Sequence, residues 1–107
     1  MLSPALERIG IQLAALPATE IVALARRADA LGFSDVFVPD HWAYEKQGGG
    51  GLDRDRSSWE AMAILGAIAA STERVRLGSL VLCNLFRHPA STAQGTTTLD
   101  HVSSGRA

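Results

Sequence analysis

An α/β architecture of three successive strand–helix units is what this sequence predicts. Three short apolar stretches are each followed by a helical pattern, and strands separated by helices pair in parallel through right-handed crossovers. The polar and reactive side chains also gather where the second and third apolar stretches end. At 107 residues the chain has room for one small domain, given about 100–200 residues per domain.

The first strand falls within Glu7–Ala14, where Ile9, Ile11 and Leu13 alternate with Gly10 and Gln12. Pro17-Ala18-Thr19-Glu20 then opens a helix, with Thr19 the expected N-cap and Glu20 complementing the positive end of the dipole. Ile21, Leu24, Ala25, Ala28 and Leu31 form one apolar stripe, and Arg26, Arg27 and Asp29 lie off it. Gly32 ends that helix where a left-handed residue is needed, with Phe33 folding back on the last turn.

Asp35–Pro39 is the second strand, apolar on both faces as parallel strands usually are. An irregular stretch follows from Asp40 to Arg56, and its Gly48–Gly51 run marks a mobile Gly-rich loop over about residues 43–56. Ser57-Ser58-Trp59-Glu60 reads as a capping box opening a second helix to about Ala70. This helix is apolar nearly all round, so it needs cover on more than one side. Arg74–Leu82 is the third strand, and Pro89 suits the first turn of a third helix running to about His101. Gly95 and Thr96-Thr97-Thr98 make that helix weak by propensity.

Composition narrows the function classes. The chain is 47% hydrophobic and 20% charged, which fits a globular protein and excludes a disordered tail. Ten Lys/Arg against eleven Asp/Glu leave a net charge of −1, with no field to draw in nucleic acid or an anionic membrane. One cysteine makes no internal disulfide and no multi-thiolate metal site. No apolar run approaches the roughly 18 residues of a membrane span. Ile9–Leu16 lacks the basic leader and the cleavage site of a signal peptide, so a cytoplasmic protein is expected.

In parallel α/β folds ligands meet the loops after the carboxyl ends of the strands. The second strand ends in Pro39-Asp40-His41-Trp42 and the third in Cys83-Asn84-Leu85-Phe86-Arg87-His88. A carboxylate beside an imidazole can hold the ring's tautomer, leaving the other nitrogen to move a proton, which makes Asp40 and His41 the catalytic candidates. Trp42 suits one wall of a pocket for a flat conjugated ligand. The plainer alternative is that Asp40 caps a loop and His41 points to solvent. Cys83 reads as a small buried hydrophobe, His88 as a helix-entry residue on the ligand side, and His101 as a structural cation at a helix end. Gly48–Gly51 lacks the Gly-Lys-Ser/Thr ending of a phosphate cradle, and no metal-ligand pair falls at helical spacing.

Three units also look like part of something larger. A closed (β/α)₈ barrel has about 250 residues, roughly 31 per unit, and 107 residues hold three such units. Three parallel strands alone leave two unpaired edges, which invites self-association or calls for the rest of a barrel.

Four stretches carry a resemblance. They are Ala28-Asp-Ala-Leu-Gly-Phe-Ser-Asp-Val-Phe-Val-Pro-Asp-His-Trp42, Ala67-Ile-Ala-Ala-Ser-Thr-Glu-Arg-Val-Arg-Leu-Gly78, Phe86-Arg-His-Pro89 and Thr98-Leu-Asp-His-Val-Ser-Ser-Gly-Arg106. In this order the sequence resembles the N-terminal part of the luciferase-like flavin-dependent monooxygenases and their deazaflavin-dependent relatives. The resemblance implies strands one to three of a TIM barrel of some 300 residues, truncated before the fourth strand. It implies an oxidoreductase that moves hydride or oxygen on a small organic substrate, through FMN or the deazaflavin coenzyme F-420, with Asp-His after the second strand tilting toward the latter. It places Asp40 and His41 beside the cofactor ring and Trp42 along the pocket. Ser79, Leu80 and Val81 would match the bulge behind the ring, which often carries a non-prolyl cis peptide in the deazaflavin branch, and Asn84 would reach the pocket. Barrels commonly bind phosphate after strands seven and eight, so residues 1–107 alone are expected to be inactive. Two other readings stay open: a non-catalytic remnant that oligomerises or binds a partner through its edges, and an unrelated α/β module that binds a small ligand.

Overall fold

The computed structural model describes residues 9–54 and 56–107. The elements in chain order are β1 (Gly10–Gln12), α1 (Ala18–Leu31), β2 (Asp35–Val38), β3 (Tyr44–Glu45), β4 (Leu52–Asp53), α2 (Ala61–Ser71), β5 (Arg76–Ser79) and α3 (Pro89–Val102). The strands β1, β2 and β5 form one parallel sheet in that order. Each of its strands precedes one of the three helices. Glu7 and Arg8, included in the expected first strand, lie outside the described residues.

The two faces of the sheet differ sharply. Val36, Val38 and Leu77 point to one side and join a single buried cluster with Ile21, Ala25 and Ala28 of α1, Ile64, Leu65 and Ile68 of α2, and Leu99 of α3. Fully burying a side chain such as Val36, Val38 or Ile68 contributes roughly 1.5–3 kcal/mol. All three helices therefore cover the same face. On the other face the register aligns Gln12, Phe37 and Gly78 in one row and Gly10, Asp35 and Arg76 in another. Among the described residues the helix-covered core cluster includes none of these positions. A Cβ at Gly10 would stand 3.0 Å from the Phe37 ring and one at Gly78 would stand 3.6 Å from it, so the ring lies across two positions without side chains.

Helix α1 ends as its sequence requires. Gly32 takes a left-handed conformation (φ 85°), and the N–H groups of Gly32 and Phe33 return to Ala28. Its start differs from the expectation, because Pro17 is the N-cap and no side chain caps it. The Pro17 carbonyl accepts from Glu20 and Ile21, placing Thr19 inside the helix. Helix α2 begins at Ala61, and its N-cap is Glu60, whose own carboxylate accepts from Ala63 N at 2.7 Å. The expected Ser57–Glu60 capping box is thus replaced by a single acidic cap, while Ser58 Oγ donates to the His41 carbonyl.

Helix α3 accommodates its poor formers locally. The Thr96, Thr97 and Thr98 hydroxyls each donate at 2.9 Å to the carbonyl four residues earlier. Gly95 gives room for Met62 of α2, whose Cε lies 2.7 Å from where a Cβ would stand. The stretch read as irregular contains a small antiparallel hairpin, β3 against β4, closed over Gly48–Gly51, all four at positive φ. Among the described residues no helix is long and apolar enough to cross a membrane.

Candidate functional site

Polar side chains organise both ends of the parallel sheet. At the amino end of β5, the Asp29 carboxylate accepts from the N–H groups of Glu73, Arg74 and Val75 at 3.1, 2.8 and 2.7 Å. Arg106 closes the end of α2, donating to Ala69 O, Thr72 O, Thr72 Oγ1 and Val75 O at 2.8–2.9 Å. Leu77 N donates to Arg106 O at 3.0 Å, so the chain returns beside β5. Every donor and acceptor here is a local structural partner.

The carboxyl ends carry the candidate site. Asp40, directly after β2, is buried and held by Arg87: Nη1 to Oδ2 is 2.6 Å and Nη2 to Oδ1 is 2.8 Å. Cys83 N donates to the same Oδ2 at 2.8 Å. The Arg87 guanidinium also contacts Glu60, with Nε 3.0 Å from Oε1 and Nη2 on that same oxygen. The bidentate bond from Arg87 holds the Asp40 carboxyl below its usual range, against the opposing effect of burial, and the Arg87 pKa is raised mainly by Asp40. At Glu60 burial pushes upward, but Arg87 and the Ala63 N–H outweigh it and the net shift is downward.

The Asp40 oxygens accept from Arg87 and Cys83 N, and the neighbouring His41 acts on them through charge alone rather than through a hydrogen bond. His41 itself is exposed, its carbonyl held by Ser58 and its ring tilted against Tyr44 at 5.1 Å between centroids. Arg56 lies over the other aromatic partner, 4.3 Å from the Tyr44 centroid. Trp42 is 75% exposed and stacks on Phe86 at 4.3 Å, which joins the loops after β2 and β5 a second time.

Past β5 the Leu80–Val81 peptide bond is cis. Its surroundings are fixed from β1 and β2: Gln12 Nε2 donates to Leu80 O at 2.6 Å, and Leu80 N and Ser79 Oγ both donate to Val38 O. The Leu80 and Val81 side chains are exposed and apolar. Asn84 is exposed on a cleft with Leu82, Arg87, Pro89 and Thr92. His88 caps α3, its Nδ1 accepting from Ala90 N at 3.2 Å, which makes it a helix-entry residue. A larger groove, about 470 Å³, lies between α2 and α3 and holds no titratable side chain.

These residues fit a flat conjugated cofactor in kind. The Leu80–Val81 segment and the Trp42–Phe86 stack offer exposed apolar surface, and His41 offers a proton-carrying group. Sequence reasoning missed Gln12, Glu60 and Arg87 as members of this end of the sheet. Arg87 had a signal, since it sits within the third strand's terminal loop.

The model of the luciferase-like monooxygenases matches residues 2–107. An F420-dependent glucose-6-phosphate dehydrogenase from Beutenbergia cavernae is 40% identical over 88 residues, covering 81% of this chain and 24% of that protein. Its counterpart from Amycolatopsis mediterranei is 36% identical over 88 residues, covering 81% and 25%. Among solved structures, the coenzyme F420-dependent tetrahydromethanopterin reductase from Methanopyrus kandleri has a TM-score of 0.74 at 29% identity, covering 92% of this chain and 25% of that one. The monooxygenase RslO1 from Streptomyces bottropensis has a TM-score of 0.69 at 31% identity, covering 91% and 30%. The chain thus spans about a quarter of the length of the curated relatives it matches.

Proposed function

The chain belongs to the luciferase-like monooxygenase family, and from that premise we propose that it forms the first three strand–helix units of a TIM barrel. In this reading it carries out deazaflavin- or flavin-dependent hydride or oxygen transfer on a small organic substrate. The observation that carries the barrel reading is the one-sided sheet: among the described residues the helices pack on the Val36–Val38–Leu77 face, and the buried cluster includes none of the Phe37 row. Helices on one face only are what a barrel wall requires, since its other face turns inward.

The site at the strand ends supports the chemistry. When bound, the cofactor ring supplies the hydride donor or acceptor. His41 gives or takes the proton that accompanies the hydride, because it is the first exposed titratable side chain after β2. Trp42 lines the pocket, Ser79, Leu80 and Val81 back the ring, and Asn84 contributes a polar edge. Asp40 belongs to the catalytic end through its hold on the loops. The deazaflavin coenzyme is favoured over FMN by the named relatives and by the Asp40-His41 pair.

Titration of the intact native protein with FMN and with the deazaflavin coenzyme, read by quenching of cofactor fluorescence, tests the proposal. Saturable binding of one of them, coupled to its reduction or oxidation by a small substrate, is the expected result. Binding of neither would overturn it.

A further inference from the structure

The geometry points to Arg87 as the positioning residue of this site: it clamps the loop after β2 to the loop after β5 through Asp40, keeps Asp40 out of proton transfer and leaves that task to His41. This inference rests on the reading of the site as an oxidoreductase centre.

Three elements converge on one guanidinium. Asp40 closes β2, Arg87 lies in the segment joining β5 to α3, and Glu60 begins α2. Asp40 side-chain exposure is 2% and that of Arg87 is 13%, so the pair is shielded and its two parallel bonds have fixed geometry. Removing one partner leaves the other charge buried and uncompensated. The third bond at Asp40 comes from Cys83 N, so the carboxylate holds the backbone of the second loop as well as its side chain. Asn84, Leu85 and Phe86 lie between those two attachment points. The stack of Phe86 on Trp42 therefore depends on a segment tied at both ends to Asp40.

Asp40 and His41 are adjacent yet differ in environment, one buried in an ion pair and the other exposed. A carboxylate that accepts from a guanidinium on both oxygens, and from a backbone N–H besides, is stabilised as the anion and makes a poor proton acceptor. Its contribution is to hold still the surface on which His41 and Trp42 stand. A lysine at position 87 would keep the charge and lose the planar fork, so it separates the two contributions of the arginine.

The test uses the intact native protein and four variants: Arg87→Met, Arg87→Lys, Asp40→Asn and the Asp40→Asn/Arg87→Met pair. Amide exchange at Cys83, measured without cofactor, should accelerate about tenfold or more in Arg87→Met and in Asp40→Asn, while exchange at Ile68 stays unchanged. Binding of the oxidised deazaflavin coenzyme should weaken about tenfold in both, with an altered visible absorption band that Arg87→Lys largely restores. The double variant should be no worse than Arg87→Met, because both changes break one shared contact. An unchanged Cys83 amide in Arg87→Met would overturn the clamp, as would full additivity in the double variant. Loss of turnover in Asp40→Asn with coenzyme binding and Cys83 protection intact would return Asp40 to proton transfer. Should the unaltered protein bind neither coenzyme, the oxidoreductase reading fails by itself, and the Cys83 exchange still decides the clamp. If Arg87→Met does not fold, Asp40→Asn carries the same exchange measurement, and protection equal to the parent's would count against the proposal.

Discussion

At the amino ends of the strands Asp29 and Arg106 bond to backbone groups, whereas at the carboxyl ends Asp40 and Arg87 bond chiefly to each other. Both arrangements bring charge close to the sheet. The first converts it into cover for N–H and C=O groups that would otherwise be unpaired, with the Asp35–Arg76 ion pair beside it at the starts of β2 and β5. The second fixes two loops whose remaining side chains, His41 and Trp42 among them, stay exposed. One end is fastened so that it holds the fold; the other is fastened so that its surface is available.

That contrast can be broken first at Asp29. Asp29→Ala removes the acceptor of three N–H groups and should lower unfolding free energy by about 3 kcal/mol, measured by urea denaturation. Turnover per folded molecule should be unaffected. His41→Ala should do the opposite at the other end: coenzyme-dependent turnover falls about 100-fold or more, and stability changes by less than about 0.5 kcal/mol. A His41 variant as unstable as the Asp29 variant would erase the distinction.

Acid sharpens it further. At Asp29 burial pushes the carboxyl upward, but the Val75, Glu73 and Arg74 N–H groups outweigh it and the folded pKa lies below the ordinary value; at Asp40 the Arg87 bond does the same. Because both are depressed on folding, their stabilisation is full above the unfolded carboxyl value of about 3.9 and is lost as pH falls through the lower folded values. Unfolding free energy should therefore drop steeply below about pH 4, and Asp29→Ala should show a shallower acid slope than the parent. The smallest expected effect is a gain. Gly66 lies inside α2 with open space where a Cβ would stand, so Gly66→Ala should add about 0.5–1 kcal/mol, visible as a higher denaturation midpoint.

Much of this was legible beforehand where the information is local. The stripe from Ile21 to Leu31 and the stop at Gly32 located α1, and Pro89 located the start of α3. The β3–β4 hairpin was not legible, since two-residue strands show no alternation and four glycines dominate the composition between them. The caps of α1 and α2 differ from those the sequence predicts, because several polar residues compete near each helix start and only backbone geometry chooses among them. At the site, the loops could be placed by strand order, and His41 and Trp42 with them. The partner of Asp40 could not, for Arg87 is 47 residues away and only the parallel pairing of β2 with β5 brings the two together.

The Phe37 ring spread across Gly10 and Gly78 has a consequence for how this sequence can evolve. A methyl group at position 10 would sit 3.0 Å from the ring and 3.1 Å from the Asp35 Cβ. Positions 10 and 37 are therefore coupled in substitution: a side chain at position 10 requires the Phe37 ring and the Asp35 side chain to yield by a few tenths of an ångström, and a smaller residue at 37 eases that change.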